Sequence, residues 1–374
     1  MATRRMRLFA VALLGVFLAA GALAVGAPAA PVAAADASEA GDAARAITLD
    51  EAYAIALENS PKIRMARLEL EDARLAYEQT RSTALMRPDP IALLQAESAY
   101  TLAERNLALT MDQVRLEVAE AFLGVLRVEN LMDVVRGSLA LAERQLAIAE
   151  SRFQVGSAAR VETIRAANQV SSVRANLLEL EGNRQLALMA FRMGIGLPLN
   201  APVVPKAEEL GPVEIDVDLE ADLLFARQNR LEILRAENAV EVARKQVELT
   251  TNDYTPPLAR ARAELGVARA QEGLAQAVDG IELEIRRLYQ SLLDSQRRLD
   301  VLAQAIAEAE ETLAITEEMY AAGVATDVEV LGAQTALTQA QTDYVNTLFD
   351  LHTALVRYSH ATARALAAES GNGE

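Results

Sequence analysis

Two stretches of this chain repeat one pattern 167 residues apart: Phe153, Gly156, Val161 and Glu162 return as Tyr320, Gly323, Val328 and Glu329. In each, an aromatic residue and a Gly close a very long apolar-periodic segment, and a Val-led run opens the next. A second echo precedes each, because residues 49–80 align with 219–250 and share Ala73/Ala243, Arg74/Arg244 and Thr80/Thr250. A duplication of this size constrains the fold before any single residue is interpreted.

The apolar spacing supplies the fold class. Alternating steps of four and three back from Phe153 land on Ala149, Leu146, Ala142, Leu139, Val135, Met132, Val128, Val125, Ala121, Val118, Val114, Met111 and Leu107, all apolar. The same walk from Tyr320 to Leu274 is broken only by Thr316 and Ser295. A sustained step of about 3.5 is the mark of left-handed coiled-coil packing, since a straight helix drifts off such a seam. Asp89 before Pro90, and Thr255 before Pro256, read as helix starts. Each long helix, 91–153 and 258–320, then spans about 95 Å. The flanking helices, about 61–80 and 161–193 in one half, 231–250 and 328 onward in the other, are shorter and antiparallel to it. Stacked end to end, they cover most of its length. The expected fold is all-α: tandem, duplicated long helical hairpins with coiled-coil packing.

The organisation follows. Residues 1–7 carry Arg4, Arg5 and Arg7, residues 8–25 are apolar or Gly, and Ala33, Ala34 and Ala35 offer a small-residue cleavage site. Residues 1–35 therefore read as a secretory signal, with a retained single-span anchor as the alternative. Residues 36–46 read as a flexible leader, 47–198 as the first helical repeat, 199–212 as a linker, 213–368 as the second repeat and 369–374 as a tail. Gly194, Gly196 and Pro198 stop a helix before the linker, which Pro202, Pro205, Gly211 and Pro212 keep irregular. The chain has no Cys, which excludes a disulfide framework and a lipid-anchored N-terminal Cys. A net charge of −17 argues against nucleic acid and is a poor match for an anionic membrane surface.

On these residues the chain resembles the TolC family of outer-membrane efflux proteins. The carriers are Leu49, Asp50, Glu51 and Ala52 through Asn59, Ser60 and Pro61, and a run of Tyr320, Gly323, Val328, Val330, Leu331, Ala333 and Gln334 with Leu337 and Gln341 after it. The resemblance implies a homotrimer whose helices form a hollow α-barrel, in an envelope or periplasmic, outer-membrane-associated setting. It implies that the Gly turns are hairpin tips receiving a periplasmic adaptor that works with an inner-membrane pump. The tip residues it points to are Val155, Gly156, Ser157, Ala322, Gly323 and Val324. Glu162 and Glu329 fall where the family carries a pore-entrance acidic ring, and Gly332 stands at a second acidic position of that ring. One departure is large. Family members insert two β-strands between the short upper helix and the long one, whereas only residues 81–89 and 251–255 occupy those places. A membrane strand needs about 9–11 residues, so neither insert supplies a strand pair. The absence of Trp and the 4% aromatic content agree with a missing membrane barrel.

For single residues the plainer readings stand beside these. Each Gly is a helix C-cap that any hairpin uses, and each Glu is a first-turn residue favoured by the helix dipole. His352 and His360 read as surface or interface residues, and no cofactor or metal is implied. No Cys nucleophile, phosphate loop or HExxH motif occurs, so the chain does not read as an enzyme. Three functional classes remain: an efflux or secretion conduit, a structural envelope spacer that has lost the channel, and an amphipathic lipid-binding helical protein. The strict seams oppose the third, which calls for a broad apolar face flanked by Lys and Arg.

Overall fold

The computed structural model describes residues 45–206, 210–213, 215, 217–251 and 255–363. The chain divides into Met1–Asp42 and Ala43–Glu374, and every described residue lies in the second unit. The signal segment 1–35, most of the leader and the tail 369–374 lie outside the described residues.

Eight helices account for most of the described chain, and they repeat. The first four are α1 (Leu49–Asn59), α2 (Pro61–Met86), α3 (Pro90–Gln154) and α4 (Arg160–Gly194). The second four are α5 (Leu219–Asn229), α6 (Leu231–Thr250), α7 (Pro257–Ala321) and α8 (Asp327–Ala361). Helices α1 and α5 have 11 residues each, α3 and α7 have 65, and α4 and α8 have 35. Only α2 and α6 differ, at 26 and 20 residues.

The long helices follow the 3.5-step seams. Every seam position from Leu107 to Ala149, and from Leu274 to Tyr320, is buried or half-buried. Phe153, at the very end, is exposed. Helices α2 and α4 both lie along α3, as α6 and α8 lie along α7, and α3 also packs on α8, which joins the halves. Arg127 and Arg184 cross from α3 and α4 to Asp350 and Glu129, and Arg357 reaches Glu120 at 2.6 Å. Such partly exposed pairs specify register more than they stabilise. Burial of the seams supplies the stability, at roughly 25 cal/mol per Å² of apolar surface.

The cores of the two halves are versions of each other. In the first, Phe122 and Phe191 meet edge to face with ring centroids 5.9 Å apart. In the second, the equivalent Tyr289 and Tyr358 lie 6.4 Å apart. The hydroxyl that Tyr358 brings into the core donates to Asp222, 2.9 Å away and buried. The first half has Ala52 at the place of Asp222, so a phenol and its acceptor appear together or not at all.

The end-to-end stacking of α2 and α4 is visible at one joint. Gly196, at φ +76, ends α4 so close to α1 that an added Cβ would sit 2.8 Å from the Asn59 carbonyl oxygen. A two-stranded parallel sheet, β1 (Arg45–Ile47) with β2 (Val203–Pro205), closes over this joint. Both strands correct the sequence reading, which placed 45–46 in a flexible leader and 203–205 in an irregular linker. Three-residue strands are too short for a periodic signal, and they form because Ile47 is fully buried in the core of α1, α3 and α4.

Asp89 caps α3 as expected, accepting from the Ala92 N–H at 3.0 Å. The other expected start is corrected. Helix α7 begins at Pro257 with Pro256 at its N-cap, since an N–H-free Pro suits either place. His352, half-buried, lies 3.0 Å from the Gly211 carbonyl in the linker. His360 is half-buried, and burial, with Arg230 nearby, pushes its imidazole down. Residues 81–89 hold the last turns of α2 and a three-residue turn, with no strand pair. Among the described residues no helix is long and apolar enough to cross a membrane.

Candidate functional site

The two Gly turns are built alike from their backbone upward. At the end of α3, Ser157 N–H donates to the Arg152 carbonyl at 2.9 Å and Gly156 N–H to Phe153 at 3.0 Å. At the end of α7, Val324 donates to Met319 at 2.9 Å and Gly323 to Tyr320 at 3.1 Å. These paired bonds are the Schellman arrangement, which satisfies the last carbonyls of a helix and requires a left-handed residue. Gly156 (φ +77) and Gly323 (φ +76) supply it, and neither has a neighbour within 4 Å of an added Cβ. The sign of φ, not space, selects Gly here. Val155 and Val324 are 77% and 71% exposed, and Ser157 and Ala322 are exposed beside them.

Glu162 and Glu329 each occupy the third position of the helix that leaves a tip, and each turns its carboxylate back on that helix. Glu162 Oε1 accepts from Ala159 N–H at 3.2 Å. Glu329 Oε2 accepts from the Thr326 N–H at 2.7 Å, while the Thr326 hydroxyl oxygen accepts from the Glu329 N–H at 3.3 Å. The second is a complete capping box; the first is half of one, since Ala159 has no side-chain acceptor. The bond from the Thr326 backbone, then that from its hydroxyl, holds the Glu329 carboxyl below the usual carboxylate range. Gly332 lies on α8 a turn further on.

The tips are also joined to each other, which the sequence reading missed. Arg152, in the last turn of α3, donates to the Tyr320 carbonyl at 2.7 Å and lies 4.0 Å over the Tyr320 ring. A cation thus meets both an aromatic face and the negative end of the α7 dipole. At the departing helices, Arg165 of α4 pairs with Asp327 of α8 at 3.4 Å. The signal lay in where the repeats differ: Arg152 and Arg165 stand opposite Met319 and Gly332, and Asp327 opposite Arg160. Charges that differ between the repeats bridge the pair. The chemistry available is that of a rigid double turn presenting apolar side chains.

Tandem long helical hairpins of this kind are a fold that the chain shares with solved outer membrane proteins. Residues 92–196, which run along α3 and α4 through the first tip, match the Outer membrane efflux protein family. The outer membrane protein TolC of Vibrio cholerae is 27% identical over 168 residues, covering 45% of this chain and 38% of that one. The alkaline protease secretion protein AprF of Pseudomonas aeruginosa is 24% identical over 163 residues, 42% of this chain and 33% of its own. The chain thus spans well under half the length of either relative. In fold, the outer membrane protein VceC of Vibrio cholerae is similar with a TM-score of 0.70 at 19% identity, across 85% of this chain and 96% of that one. Together these matches show similarity to outer-membrane efflux proteins in sequence over part of the chain and in fold over most of it.

Proposed function

We propose that this chain is the helical conduit component of an efflux or secretion assembly. Copies of it, three by family resemblance, surround a channel, and their tips dock a periplasmic adaptor serving an inner-membrane pump. The observation that carries this reading is the pair of matching tips at the ends of two 65-residue helices. Each exposes apolar residues on a turn stiffened by its own hydrogen bonds, so binding costs little ordering. Val155, Gly156, Ser157, Ala322, Gly323 and Val324 form the docking surface. Three protomers with two tips each give six near-equivalent contacts, which suits a six-membered adaptor ring. Glu162 and Glu329 cap their helices and, repeated around the oligomer, also ring the channel entrance with negative potential that favours cations. The protein is exported and works in the cell envelope.

The test is co-purification with candidate adaptors, wild type against Gly156→Pro/Gly323→Pro. Proline removes the N–H that each Gly donates and fixes φ at about −65°, opposite in sign to the turn. The rods keep their seams and stay folded, while adaptor capture falls. Undiminished capture by a folded double variant contradicts the docking role. It would favour the second reading, a structural spacer, for which the three-residue turn between α2 and α3 already speaks.

A further inference from the structure

The end opposite the tips carries its own surface. Met86 and Leu85, at the end of α2, are 93% and 86% exposed, more than any other large apolar side chain among the described residues. Leu258, in the first turn of α7, is 76% exposed. The α2–α3 and α6–α7 turns share one end of the body, because Ile91 and Leu102 of α3, Val242 and Gln246 of α6 and Gly266 of α7 line a single groove. At 1.5 Å per residue, the length of α3 separates this end from the tips by about 97 Å.

The charge here departs from the rest of the chain. Arg81 lies one turn before Leu85, Arg87 follows Met86, and Arg260 and Arg262 follow Leu258; all four are exposed. Of the neighbouring acids, Asp89 is engaged in capping α3 and Glu264 pairs with Arg260 at 3.0 Å. The sequence between α6 and α7 adds Asp253. Arg81, Arg87 and Arg262 form no ion pair among the described residues. A chain of net charge −17 thus presents cations next to its most exposed apolar side chains. Pro88, Pro90, Pro256 and Pro257 stiffen the two approaches to the long helices.

We propose that this end inserts shallowly into an anionic phospholipid surface, with Leu85, Met86 and Leu258 among the acyl chains and Arg81, Arg87 and Arg262 on the phosphates. Apolar side chains this exposed fit a deformable bilayer, and arginine stems reach back to headgroup level from beside them. The geometry is end-on, unlike a helix lying in the interface, so the coiled-coil seams do not oppose it. The inference concerns attachment and holds whether or not the helices enclose a channel.

The chain contains no Trp, so one introduced Trp reports one site. Full-length Met86→Trp and, at the opposite end, Val324→Trp are titrated with phosphatidylglycerol/phosphatidylcholine vesicles carrying brominated acyl chains. Quenching and a blue shift are expected at position 86 and not at 324. Adding Arg81→Gln, Arg87→Gln and Arg262→Gln to Met86→Trp should raise the lipid needed for half-quenching about tenfold or more, each cation near the surface being worth about fivefold. Circular dichroism verifies that the variants remain helical. No quenching at 86, equal quenching at both positions, or quenching unchanged by the arginine substitutions overturns the proposal. A blue shift that tracks protein concentration without lipid overturns it too, and assigns the patch to a second copy.

Discussion

Gly156 and Gly196 share a positive φ but not a setting, and that difference predicts unequal costs. Gly156 has open space where a Cβ would go, so Gly156→Ala bears only the left-handed penalty, about 1 kcal/mol. Gly196→Ala adds a clash with the Asn59 backbone and should cost at least about 2 kcal/mol in denaturant titration. Equal losses would contradict the joint described between α4 and α1. Tyr53 of α1 gives a pH test. Burial, with Asp50 adding to it, pushes its phenol up to about 12 from 10.0. A raised pKa contributes stability that is complete below pH 10 and is lost as pH rises toward 12. Tyr53→Phe should therefore flatten the fall of Tm between those values, and an unchanged fall would contradict the assignment. Both Gly tips were legible as residues, because the repeat singles them out. The strain at Gly196 was not, because it depends on a neighbour 137 positions earlier in the sequence.

Between elements, the two repeats can be used as controls for each other. Asp222 and Tyr358 stand where the first half has Ala52 and Phe191. Tyr358→Phe or Asp222→Ala alone should each destabilise by about 1–3 kcal/mol. The double variant, which restores the pairing of the first half, should cost less than the sum of the singles. Additive losses would show that the buried bond is not a unit. At the tips, Arg152→Ala removes the tie from α3 to the end of α7. Amide exchange around Gly156 and Gly323 should quicken severalfold with Tm nearly unchanged, because the seams hold the rods. Unaltered exchange would contradict the tie. Helix lengths and seams were readable, since a 3.5-step pattern over dozens of residues outweighs any local ambiguity. The strand pair β1–β2 and the Arg152 contact were not, since each joins residues far apart in sequence through a few atoms.

For the body formed by residues 43–374, the fold settles a TolC-like arrangement of hairpins, while a channel depends on copies of the chain assembling. Polar residues on the faces away from the seams suit a water-filled lumen and an outer surface alike, so periodicity does not distinguish them. In the proposed trimer, two long hairpins per chain would give twelve helical strands, counting α2 with α4 and α6 with α8 as one strand each. Among the described residues no strand-length insert stands beside α3, and in the proposal made above the arginine-flanked apolar end supplies the attachment. The most direct measurement is the size of the purified protein together with electron-microscope class averages viewed down the long axis. A threefold particle with a hollow centre is the predicted result, and a thin solid rod of one or two copies would contradict the conduit.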